Sequence, residues 1–69
     1  MNARQAKPTQ EYAAIRENKD AGYNWIDTAT FDCTREGAEK KAKNTDNDIP
    51  WWAVANPIVD IVLVNITVA

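Results

Sequence analysis

The sequence contains no histidine, and its 69 residues include a single cysteine. Histidine is the usual general acid or base and a common metal ligand, so its absence argues against most nucleophilic and metal-dependent sites. Cys33 cannot close a disulfide within the chain, which favours a cytoplasmic location over an oxidising compartment. Its place at a strand–helix junction is typical of a small packed apolar side chain. We predict no catalytic residue and no enzymatic activity.

Glycine is scarce as well, since Gly22 and Gly37 stand alone and no glycine-rich loop is present to hold a phosphate group. The acidic segment 46–48 lacks the glycine and the distant glutamate of a calcium loop. Asp27 and Asp32 are expected to be a surface residue and a helix cap rather than a catalytic pair. The sequence therefore predicts neither a cofactor nor a metal ion.

Long apolar runs are missing too. The most apolar stretch, residues 58–69, is shorter than the roughly 20 residues of a membrane-spanning helix, and Asp60 and Asn65 interrupt it. With 45% apolar residues, 26% charged residues and a net charge of −2, the composition is that of an ordinary globular domain. We predict no membrane partner, a flexible arm over residues 1–10, and a single domain over residues 11–69.

Two strands joined by a tight turn are predicted in the first half of the domain. Residues 11–18 alternate weakly between the two sides of a strand, and the Asn-, Asp- and Gly-containing segment 18–22 favours a hairpin turn. Residues 23–32 alternate more clearly. Their aromatic side consists of Tyr23, Trp25, Ala29 and Phe31.

A helix and a last strand are predicted in the second half. Asp32 or Thr34 can cap a helix that runs to about Asn44, where the polar segment 44–48 should end it. Ala38 and Ala42 form a small-residue stripe that lets this helix lie close to a sheet. Residues 50–56 suit either a short helix or an ordered loop. The β-branched segment 58–68 predicts a strand.

These elements predict an α+β fold of order β-β-α-(short helix or loop)-β. A crossover after the hairpin places the last strand beside the first, which gives a three-stranded, antiparallel-containing sheet of order 2-1-3 with the main helix on one face. One side of the last strand would then be bare. It is either the side of Val59, Ile61 and Leu63 or the opposite side, unless residues 51–52 or a second molecule covers it.

Trp51 and Trp52 are the strongest candidates for a functional site. Adjacent tryptophans cannot easily both point inward, so one of them should be exposed, and tryptophan is enriched among binding hot spots. The alternative is that both cover a bare face of the sheet. We predict that Trp51, Trp52, Asp46 and Asp48 bind a partner protein.

Two other functions remain open. The first is nucleic-acid binding by basic residues of the predicted helix, although interspersed acidic residues favour an ordinary solvated face. These basic residues are Arg35, Lys40, Lys41 and Lys43. The second is a structural homo-oligomer, such as a homodimer, that buries the apolar strand face between subunits.

The second strand contains Tyr23-Asn24-Trp25-Ile26-Asp27-Thr28, the capped helix contains Ala38 and Ala42, and the last strand is apolar. In this layout the chain resembles many small accessory proteins of bacteriophages, among them anti-CRISPR proteins and other host-takeover inhibitors. The resemblance extends over residues 11–69 and is one of pattern and size. It implies a non-enzymatic protein that binds a host or defence protein stoichiometrically in the host cytoplasm, and it assigns no functional residue.

Overall fold

The computed structural model of the protein describes residues 7–68, with side chains from 9 to 66. Its strands are β1 (Lys7–Asn18), β2 (Tyr23–Asp32) and β3 (Ile58–Val68), and its helices are α1 (Arg35–Asp48) and α2 (Pro50–Ala55). The strands form one antiparallel sheet of order β2-β1-β3. The predicted α+β fold and strand order are confirmed.

The turn between β1 and β2 forms where the sequence predicts it. Gly22 has a φ of 77°, in the left-handed region that glycine adopts without steric penalty. The Asn18 carbonyl accepts a hydrogen bond from the Gly22 N–H at 2.7 Å, and its side-chain oxygen accepts one from the Ala21 N–H at 3.0 Å. The turn is therefore closed by Asn18 from both its backbone and its side chain.

Strand β1 begins earlier than predicted and pairs with β3 over a longer span than with β2. The β1–β3 register runs from Lys7 opposite Val68, whereas β2 reaches only as far as Asp32 opposite Tyr12. Residues 7–10 of the predicted arm are thus strand, and residues 1–6 lie outside the described part of the chain. Beyond β2, the sheet continues as a two-stranded ribbon of residues 7–11 and 64–68.

Helix α1 packs on the sheet through two alanines. Ala38 and Ala42 are fully buried and cluster with Ala14 of β1 and Ile61 of β3. Alanine side chains let the helix backbone approach the strands closely, as the sequence predicts, but they bury little apolar surface. The core between helix and sheet is therefore thin.

The start of α1 is fixed by two side chains in series. Thr34 is the N-cap, and its Oγ1 accepts from the Gly37 N–H at 2.9 Å. Asp32 in turn accepts hydrogen bonds from the Thr34 N–H and hydroxyl, each at 2.9 Å. A Cβ atom at position 37 would collide with the Asp32 carboxylate, so glycine makes room for this cap.

The predicted end of α1 at Asn44 is wrong, because the helix continues through the polar segment to Asp48. Asp46 is held by a hydrogen bond from Arg16, and the Thr45 hydroxyl donates to the Lys41 carbonyl at 3.2 Å. Tertiary contact here overrides the local preference for a turn.

Residues 50–55 then form a short helix, with Pro50 at its first position. In the described part of the chain, neither helix has the length and apolar character needed to cross a bilayer.

Candidate functional site

Helix α2 has one side in contact with the sheet and one side in solvent. Trp51 is 74% exposed and Val54 is 75% exposed. Residues three apart lie on the same face of a helix, so these two side chains form one apolar surface, which we call the α2 face. Ile49, directly before the helix, is 39% exposed. Of the two candidate tryptophans, Trp51 is therefore the one at the surface.

Trp52 is the anchor of the same helix. The guanidinium carbon of Arg16 lies 4.6 Å from the centroid of the Trp52 ring, within the range of a cation–π interaction. Trp25 of β2 meets Trp52 edge to face, with ring centroids 6.0 Å apart and an interplanar angle of 71°. These contacts fix the rotation of α2 about its axis and thereby point Trp51 outward.

Arg16, close to the end of β1, is a fully buried cation. Its Nε donates to Asp27 at 2.7 Å, and one Nη donates to Asp46 at 2.8 Å and to the Asn56 carbonyl at 3.0 Å. The other Nη donates to the Ala42 carbonyl at 3.3 Å. The acceptors belong to β2, to α1 and to the residue after α2. One side chain thus joins the sheet to both helices.

Asp27 is buried beneath the helices, and the expectation that it is a surface residue is wrong. Its carboxylate accepts from the Ala29 N–H at 3.2 Å, while its carbonyl accepts from the Thr30 hydroxyl at 2.6 Å. Thr30 in turn accepts from the Ala14 N–H at 2.8 Å, where the pairing of β1 with β2 is irregular. Side-chain hydrogen bonds therefore bridge the irregular pairing of β2 with β1. The irregularity also breaks the simple alternation of inward and outward side chains predicted for residues 23–32.

The acidic residues predicted to bind a partner have different positions. The Asp46 side chain is only 28% exposed and is paired with Arg16, so it belongs to the interior network. Asp48 is exposed at the end of α1 and forms no ion pair within residues 9–66. The structure thus brings Trp51 and Asp48 to the surface and assigns Trp52 and Asp46 to structural contacts.

Sequence reasoning missed Val54 and Arg16. The three-residue spacing between Trp51 and Val54 indicates that they share one face, but only if residues 50–55 are known to be helical. The signal for Arg16 was weaker: it shares the strand parity of Tyr12 and Ala14, which is the parity of a buried face.

Three of the four basic side chains considered for nucleic-acid binding are paired with acidic ones. The pairs are Arg35 with Asp60 at 3.8 Å, Lys41 with Asp32 at 3.2 Å, and Lys43 with Glu39 at 3.7 Å. Lys40 is exposed and forms no ion pair with another described residue. The surface of α1 therefore alternates in charge, unlike the continuous cationic track that follows a phosphate backbone.

Arg35 and Asp60 also occupy backbone groups of β3, one of the two edge strands of the sheet. The Ile61 carbonyl accepts from the Arg35 guanidinium, and the Ile61 N–H donates to the Asp60 carboxylate, both at 2.8 Å. An unpaired edge strand can pair with another chain, and side chains that occupy its backbone groups prevent this. Arg35 thus has a structural role at the edge of β3.

Asp32 and Cys33 lie between β2 and α1. Hydrogen bonds from the Thr34 N–H and hydroxyl, with a further contribution from Lys41, lower the pKa of Asp32 below its ordinary value of 3.8. Cys33 is exposed, in contrast to the packed position expected for it. Within residues 9–66, no group of three or more acidic, cysteine or histidine side chains is arranged to hold a metal ion.

Comparison of the chain with protein-family models, with curated proteins and with solved structures finds no match. The geometry of the site is therefore the basis on which a function can be proposed.

Proposed function

We propose that this protein is a small non-enzymatic binding protein that attaches to the surface of another protein through the α2 face. The observation that carries the proposal is that Trp51, 74% exposed, sits on a helix whose other side is fixed by Trp52. Exposed tryptophan is unusual on a small soluble domain and is the residue most enriched at binding hot spots. An anchored helix with an outward tryptophan is well suited to this role.

The α2 face is held in place before any partner arrives. A six-residue helix is not stable alone in water, so α2 depends on its contacts with the sheet. Besides the Arg16 bond to the Asn56 carbonyl, the Lys19 N–H donates to the Ala55 carbonyl at 3.1 Å and the Glu17 N–H to the Pro57 carbonyl at 3.0 Å. Ordering of the helix is therefore part of folding, and binding does not have to supply it.

The resemblance to small bacteriophage accessory proteins leads us to propose the biological role as well. The partner would be a host or defence protein of a bacterium, inhibited by stoichiometric binding in the host cytoplasm, as anti-CRISPR proteins act. Asp48, three residues before Trp51, would meet a cationic group beside the partner's apolar pocket.

The proposal is tested by affinity capture from a bacterial lysate with wild type, Trp51→Ala and Leu63→Ala as immobilised baits. Leu63 is a matched control because it is also an apolar side chain, 49% exposed, but lies on β3. We expect wild type and Leu63→Ala to retain the same partner. Trp51→Ala should bind the purified partner about 30-fold more weakly, which corresponds to a hot-spot loss of about 2 kcal/mol.

Circular dichroism of each bait establishes that it is folded. Capture of no specific partner, or equal capture by Trp51→Ala and wild type, would refute the proposal.

A further inference from the structure

The sheet face opposite the helices carries aliphatic side chains that nothing described covers. The register places Ile15 beside Ile26 on this face and Ala13, Glu11 and Thr9 beside the apolar residues of β3. Ile26 is 42% exposed and Thr9 is exposed, Glu11 and Ile15 are half-buried, and Ala13 is fully buried between its neighbours in the sheet. We call this surface the outer sheet face. Its aliphatic residues are Ile15, Ile26, Val62, Val64 and Ile66.

The outer sheet face carries more branched aliphatic side chains than the core beneath α1. The core cluster is Ala14, Ala38, Ala42 and Ile61, with Tyr12 and Ile58 packed against it. A monomeric domain rarely leaves a large contiguous apolar patch without cover. The face also continues onto the ribbon of residues 7–11 and 64–68, and a two-stranded ribbon is marginal without a further layer. Both features indicate a docking surface.

The charged residues of the outer sheet face restrict which partner can bind to it. Glu11 and Glu17 lie on this face, about 20 Å apart along β1, and neither forms an ion pair with a described residue. Lys41 and Lys43 belong to α1, on the opposite layer, whereas Arg35 of α1 reaches Asp60, which the register places beside Ile15 at the edge of this face. A second copy docked through the same face would bring Glu11 and Glu17 against further carboxylates, and Arg35 at the edge is already paired with Asp60. Complementarity therefore requires a partner with cationic groups on both sides of an apolar strip.

We infer that the outer sheet face binds an amphipathic α-helix of a partner protein, with an apolar stripe and a Lys or Arg at each end. Sheets in layered folds bury their faces against helices, as β1 does against α1 on its other side. A separation of about 20 Å corresponds to about 13 helical residues, which sets the distance between the cationic ends. This surface is separate from the α2 face, and the inference does not depend on the function proposed for that face.

Two synthetic helical peptides with the same apolar stripe test the inference. One carries lysine at both ends and the other carries glutamate, and each is titrated with the full-length protein by fluorescence anisotropy. We expect the lysine peptide to bind about tenfold more tightly at low salt. The double substitution Glu11→Lys with Glu17→Lys should reverse this preference, and Ile26→Asp should abolish binding of both peptides.

The control Trp51→Ala should bind the lysine peptide as wild type does, since it alters only the α2 face. Glu11 and Glu17 are rim positions, so their reversal remains informative if Ile26→Asp does not fold. Equal binding of the two peptides, no binding of either, or an unchanged preference in the double variant overturns the inference. So does sedimentation that shows a wild-type dimer converted to a monomer by Ile26→Asp, because the occupant is then a second copy.

Discussion

Arg16 shows how one residue connects the layers of a very small protein. Removing a guanidinium from water is unfavourable, and the two carboxylates and two carbonyls around Arg16 offset this only while all are in place. Loss of Arg16 would leave the buried Asp27 carboxylate without its cation, and loss of either carboxylate would leave Arg16 with fewer partners. The stability of the domain is therefore sensitive to each member of the network.

Arg16→Met should lower the free energy of unfolding by about 3–5 kcal/mol, because it leaves the buried Asp27 carboxylate without its cation. Urea denaturation measures the effect, and a variant that is already unfolded without urea counts as the loss of the full stability of the domain. Lys40→Met, at an exposed position without a described ion pair, is the matched control and should change stability by less than about 0.5 kcal/mol. A loss below about 1 kcal/mol for Arg16→Met would mean that the network contributes little.

Asp32 makes the cap of α1 dependent on pH. Its pKa is lowered in the folded protein, so its contribution to stability is complete above the ordinary value of 3.8 and is lost as the pH falls through the lowered pKa. Asp32→Asn imitates the protonated side chain. It should therefore melt below wild type at neutral pH, and the difference should shrink as the pH falls below 3.8.

Thermal denaturation followed by circular dichroism across this pH range checks the expectation. Asp48→Asn removes an exposed carboxylate that has no described ion pair, and it should match wild type throughout. A difference between wild type and Asp32→Asn that stays constant with pH would contradict the assignment.

At the scale of elements, the two tryptophans of α2 differ in what they do. The sequence predicted that one of them would be exposed, because neighbouring residues on a helix or loop point in different directions. It could not predict which, since the rotation of α2 is set by the contact of Trp52 with Arg16 and Trp25. That contact depends on three separate segments of the chain.

Trp52→Ala should lower the free energy of unfolding by about 2–4 kcal/mol, somewhat less than for a fully buried tryptophan. Trp51→Ala should change it by less than about 0.5 kcal/mol, because its ring contacts mainly solvent. Chemical denaturation of the two variants side by side makes the comparison. The opposite order of stability would show that Trp51, rather than Trp52, anchors the helix.

The strands, the turn and the start of α1 were predictable because their signals are local. Asn18 and Gly22 close the turn by themselves, and Thr34 caps a helix three residues from its partner. The end of α1 and the burial of Asp27 were not predictable in this way. Both depend on Arg16, which lies 30 positions from Asp46 and 11 from Asp27. Ionic contacts between residues far apart in the chain do not produce the periodic patterns from which helices and strands are predicted.

At the scale of the whole molecule, the thin alanine core and the shared Arg16 network have a joint consequence. Little apolar surface is buried, so the free energy of unfolding should be about 5 kcal/mol or less. Because the sheet and both helices share the network, they should unfold together in one transition. Helical circular dichroism and tryptophan fluorescence should then give the same urea midpoint. A fluorescence change that precedes the loss of helix would show that α2 detaches first.

The Arg16 network also bears on how the sequence can diverge. A change at position 16 alone leaves the buried Asp27 carboxylate without its cation, and a change at position 27 or 46 alone removes one of the two carboxylates paired with Arg16, whereas a joint replacement by apolar residues of similar volume removes cation and anions together. Descendants of this protein should therefore keep these positions as a set or exchange them as a set, and position 52 should lose its preference for an aromatic ring wherever the arginine is gone.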